Sequence, residues 1–92
     1  MTRDKFLTTC ALYSAKLRDW GARPMAEVVN ANAVQIHDLK AFALHHAAYM
    51  VEKMPTMYDE NPEKAMRWLG FVQGVFYMTG YMTVDDMKDH NR

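Results

Sequence analysis

The chain has 92 residues, half of them hydrophobic and 24% charged, a composition that fits one folded domain with a modest core and argues against disorder. Eleven basic residues balance eleven acidic ones, so the chain lacks the basic excess of a protein held to nucleic acid mainly through phosphates. Its single cysteine, Cys10, excludes an internal disulfide and suits a reducing compartment, and the polar opening MTRDKFLTT lacks the apolar stretch of a signal peptide.

The charge is unevenly spread. Residues 1 to 24 carry five basic side chains against two acidic ones, an excess of +3, and the remainder carries the balancing −3. This reads either as a dipolar surface that steers a charged partner or as two ordinary solvated faces. Nine methionines in so short a chain add flexible apolar side chains that suit both gap-filling and adaptable binding surfaces.

From the amino terminus, residues 3 to 20 are predicted to form an amphipathic helix. Phe6, Cys10, Tyr13, Leu17 and Trp20 recur at spacings of four, three, four and three, which puts all five on one stripe. Gly21 is placed to stop the helix, and Pro24 reinforces the break. The next stretch, PMAEVVNANAVQI, is open to two readings. One is a short helix with Pro24 at its first position, and the other a small β-hairpin at 27–36 with valine-rich arms.

A long helix is expected from about residue 33 to residue 54, capped by Asn32 with Gln35 three residues on. Its inner stripe is Ile36, Leu39, Ala43, Ala47, Met50 and Met54, flanked by Leu44 and Val51. Pro55 is expected to end it, with residues 55 to 61 forming a loop. Asn61-Pro62 is a strong start for another helix, with Glu63 complementing its dipole and Gly80 as its left-handed stop near Thr79. Thr83 and Asp86 then open a short last helix that runs to about Asp89 and ends in a polar tail. The predicted fold is therefore all-α: a single compact domain, residues 1–92, built as a small bundle of four or five helices.

The segment RWLGFVQGVFYMTGYM, residues 67 to 82, is too short and too interrupted for a bilayer span of about 20 apolar residues. As a soluble helix it clusters Trp68, Leu69, Val72, Val75, Phe76 and Thr79, and Phe71 and Met78 widen that arc to about half the circumference. Such a helix is central to a bundle or is covered on a second side by a partner. Gly70 and Gly74 lie off this arc, and each costs about 1 kcal/mol relative to alanine. The expected compensation is close approach of a neighbouring helix, the alternative a notch where another chain docks.

No constellation points to catalysis. Adjacent His45 and His46 point about 100° apart on a helix and cannot chelate one ion, so no metal site or cofactor is expected. Cys10 and Ser14 have no base in evident reach, and the helical glycines lack the lysine and hydroxyl of a phosphate-binding loop. His45 points away from the inner stripe between Phe42 and Tyr49, with Lys53 a turn further on. These four form a candidate partner-binding patch, unless the bundle wraps the helix on both faces. Lys5, Lys16 and Arg18 on the first helix are the further candidates, for charged surface or RNA.

The carboxyl-terminal third, PEKAMRWLGFVQGVFYMTGYMTVDDMKDHNR, resembles a pattern in small accessory proteins encoded by phages and prophages: an R-W-L-G-F-x-Q-G helix, a glycine stop, a T-x-D-x-M-K start and an H-N-R end. In length and lack of catalytic residues the chain is similar to anti-CRISPR inhibitors of type I-F systems. That resemblance implies a cytoplasmic, cofactor-free inhibitor in the bacterial host. It would bind the multi-subunit, crRNA-guided surveillance complex, with its guide RNA as a further contact, and sterically block target DNA. A small nucleic-acid-binding regulator and a self-associating protein using the Gly70/Gly74 flank are the alternatives.

Overall fold

The computed structural model describes residues 1–26 and 36–91. Four α-helices follow one another: α1, Arg3–Asp19; α2, Ile36–Glu60; α3, Pro62–Thr79; and the short α4, Val84–Lys88, which continues into a 3-10 turn at Asp89–Asn91. No strand occurs among the described residues. The hairpin expected at 27–36 falls outside them except for Ile36, which opens α2, as do the Asn32 cap and the residues before it. Residues 24–26 are not helical, so Pro24 does not open a helix within the described chain.

Each helix end has a local chemical cause. The Thr2 hydroxyl accepts the Lys5 N–H at 3.1 Å to start α1. Gly21, at φ +81°, ends it: its N–H reaches the Arg18 carbonyl at 3.0 Å while Ala22 N–H reaches that of Leu17 at 2.9 Å. Asn61 caps α3 by accepting from Lys64 N–H at 3.1 Å, with Pro62 at the first helical position. Gly80, at φ +82°, closes α3 through Gly80 N–H to Tyr77 and Tyr81 N–H to Phe76. Thr83 and Asp86 exchange both bonds of a capping box at 3.1 and 2.8 Å.

Pro55 does not end the second helix. Residues 55 to 60, expected as a loop, continue α2, and Asn61 alone separates it from α3. Proline forfeits one backbone donor and its ring crowds the carbonyl four residues back, a cost of about 3 kcal/mol in a helix interior. Contacts that only the folded chain supplies offset it. Tyr58 lies on Phe6 with ring centroids 4.6 Å apart, and the Arg3 guanidinium donates to both oxygens of Asp59 at 2.8 and 3.2 Å. The last turn and a half of α2 is thus fastened to the start of α1.

The core lies between α1, one face of α2 and one face of α3. Phe6, Tyr13 and Leu17 from α1 meet Ala47, Val51 and Met54 from α2 and Leu69, Val72 and Phe76 from α3, all essentially inaccessible. Trp20 closes one end, edge-on to Phe76 at 5.3 Å and tilted against Tyr81 at 4.5 Å. Met82 and Met87 carry the carboxyl-terminal segment back onto the same core.

On α3 the close approach expected at the glycines is overturned, and the wide apolar arc is buried within the fold on one side only. Phe71 and Met78 are exposed, because α1 packs on the side of α3 that carries Leu69, Gln73 and Phe76, and Gln73 takes an inward position the apolar pattern gave to neither flank. Gly70 and Gly74 have no close neighbour: a Cβ built at either meets nothing within 4 Å. Their presence is not explained by tight packing among the described residues.

Candidate functional site: the outer face of the α2–α3 hairpin

With α1 covering one side of the α2–α3 hairpin, no other described helix covers the opposite side, and two grooves run along it. None of the described residues lining either groove comes from α1. At the turn end, a cleft of about 500 Å³ is lined by Tyr49, Lys53 and Glu60 of α2 and Lys64 and Trp68 of α3. Its aromatic rings each carry an ammonium: Lys53 Nζ stands 5.7 Å from the Tyr49 ring centre, and Lys64 Nζ stands 5.7 Å from that of Trp68. The spacing of four residues in each pair places the cation one helical turn from its ring. Towards the other end of the hairpin, a groove of about 460 Å³ is formed by Leu39 and Ala43 of α2 against Phe71, Gly74, Val75 and Met78 of α3, with Lys40 at its edge.

The residues singled out in the sequence are divided by the fold. Tyr49 and Lys53 enter the turn-end cleft, where Lys64 and Trp68 complete it. The latter two were missed because they lie on α3, and only the hairpin turn brings them opposite Tyr49. His45 sits under the segment that leaves α1, with Phe42 beside it. His45 Nδ1 accepts Arg23 N–H at 2.9 Å, its carbonyl accepts Met25 N–H at 3.1 Å, and its ring meets Phe42 edge-on at 6.4 Å. His46 Nδ1 donates to the Met25 carbonyl at 2.9 Å and its ring stacks on Tyr49. The adjacent histidines therefore hold opposite tautomers and fasten one backbone strap between them. Lys5 and Lys16 lie half-buried on the face of α1 that receives the carboxyl terminus, whereas Arg18 is exposed beside Glu52 on another side. The three cations do not form one patch.

One buried polar network ties the terminus to the core. Gln73 Nε2 donates to the Tyr13 hydroxyl at 3.0 Å, and that hydroxyl lies 2.8 Å from His90 Nδ1. The Tyr13 oxygen thus bridges the Gln73 amide and the His90 ring. Burial and then the positive charge of Lys5 hold the His90 pKa below its ordinary value. Burial raises the Tyr13 hydroxyl, and it pushes the Cys10 thiol up to about 11, leaving almost no thiolate at neutral pH. Among the described residues no three metal-ligating side chains converge, and no helix is long and apolar enough to cross a membrane.

No protein-family model matches the chain, no curated protein is detectably similar to it, and no solved structure matches it.

Proposed function

We propose that the protein is a stoichiometric protein-binding inhibitor whose partner surface is the outer face of the α2–α3 hairpin. What supports this reading is the turn-end cleft, where half-buried Tyr49 and Trp68 and two exposed lysines line one side of a hairpin whose other side is filled by core. Aromatic rings that offer both apolar area and a polar edge are the side chains most often found at the energetic centre of protein interfaces. The paired ammoniums add recognition of carboxylates on the partner. Shape and charge complementarity suffice for occlusion, with no chemical step at the site.

The resemblance of the last third of the chain to phage accessory proteins directs the choice of partner. We propose a crRNA-guided surveillance complex of the type I-F class, held so that target DNA cannot engage. The experiment is a tagged pull-down from bacteria carrying such a system, with wild-type protein beside Tyr49→Ala/Trp68→Ala and Lys53→Glu/Lys64→Glu. Recovery of the complex in fixed stoichiometry by wild type, and at least tenfold less by both folded variants, is the expected result. Recovery unaffected by the variants would overturn the surface. Recovery of nucleic acid alone, released by salt, would transfer the function to a nucleic-acid-binding regulator.

A further inference from the structure

From Trp68 to Val84 the sequence holds no Asp, Glu, Lys, Arg or His, yet much of that stretch is on the surface. Phe71 and Tyr77 are each 56% exposed, Met78 is 73% exposed and Tyr81 is 45% exposed. Beside these protruding side chains lies the 460 Å³ groove against Leu39 and Ala43, and Gly74 forms part of its wall. We infer that this face is a self-association surface, and that its occupant is a second copy of the same chain related by a two-fold axis.

Three features favour a second copy over an unrelated partner. A two-fold interface needs protrusion and recess of matching chemistry on one patch, because each residue of the patch meets the patch itself. Here the apolar protrusions, Phe71 and Met78, border the apolar recess. The stretch carries no charge, so two copies meet along α3 without like-charge contact, and a charged partner would find nothing to pair with. Lys40, at the groove edge, has a stem long enough to keep its ammonium in water. The area is also appropriate. With a whole aromatic side chain near 200 Å², Phe71 and Tyr77 each offer about 110 Å², and the patch with Met78, Tyr81 and the groove wall reaches on the order of 600 Å² per copy. Two such patches bury about 1,200 Å², the lower edge of specific interfaces, which fits a reversible dimer rather than an obligate one.

Gly74 allows a test in which monomer stability and association move in opposite directions. Among the described residues a side chain there meets nothing within 4 Å, and the position lies in a helix, so replacement should help the fold. In the dimer the same side chain fills the recess. Sedimentation equilibrium from about 5 to about 500 µM, a range suited to a reversible dimer, is expected to show wild type passing from monomer to dimer. Gly74→Leu should raise the melting temperature at low concentration yet weaken dimerisation at least tenfold. Met78→Glu, which sets like charges face to face, should abolish it while leaving the helical spectrum unchanged. A wild type that stays monomeric throughout overturns the inference, as does a Gly74→Leu protein that dimerises as well as wild type. Failure here leaves the turn-end cleft untouched, since none of the substituted residues lines it.

Discussion

Replacing Tyr13 by phenylalanine removes a single oxygen from the centre of the molecule and tests the polar network that the core encloses. The ring stays, and with it the edge-to-face contact to Phe76 at 5.0 Å and 86°. What goes is the acceptor for Gln73 Nε2 and the hydrogen-bond partner of His90 Nδ1. Gln73 is buried, so breaking its bond to Tyr13 where water does not replace it costs about 1–3 kcal/mol. His90 is only half-buried, and water there limits the second loss to about 0.5 kcal/mol. The expected total is about 1.5–3.5 kcal/mol, which in a domain of this size lowers the melting temperature by roughly 6–28 °C. Urea unfolding followed by circular dichroism, at equal slope for both proteins, gives the free energy directly. A double-mutant cycle with Gln73→Met should return a coupling of about 1–2 kcal/mol between the two positions. A loss below about 0.5 kcal/mol, or strict additivity in the cycle, would refute the claim that this is a stabilising buried bond.

Three further outcomes follow from the same structure. The folded-state pKa of His90 lies below its unfolded value, so the unfolded chain binds more protons as the pH falls below about 6.5. The stability His90 confers is therefore complete above that pH and declines towards the folded pKa, and His90→Leu should flatten the stability profile between pH 7 and 5.5 in urea titrations. Gly80→Ala should destabilise by about 1–2 kcal/mol, because φ +82° is strained for any side chain although the space is open, whereas Gly74→Ala should stabilise by up to about 1 kcal/mol. Thermal melts of the two variants shifting in the same direction would contradict this. Cys10, buried and with its thiol at about 11, should react with a thiol reagent at pH 8 about 100-fold more slowly than in the urea-unfolded chain.

Taken alone, the sequence determined what short-range chemistry can determine. The stripe from Phe6 to Leu17, the glycine stops at residues 21 and 80, the Asn61-Pro62 start and the Thr83/Asp86 box each act over one helical turn, and each occurs where its residues predicted. The all-α class followed from them. The tertiary structure decided whatever depends on residues distant in the chain. Pro55 stays inside α2 because Phe6 and Arg3, some fifty positions away, hold the residues beyond it. Gln73 turns inward because Tyr13 waits there, and His90 leaves the expected polar tail to join them. Lys64 and Trp68 face Tyr49 and Lys53 only across the hairpin. Whether Phe71, Gly74 and Met78 lie inside the bundle or on its surface was left open by the sequence for the same reason. A helix periodicity shows which residues share a side, but the side that meets α1 is chosen by packing, and with it the side left open.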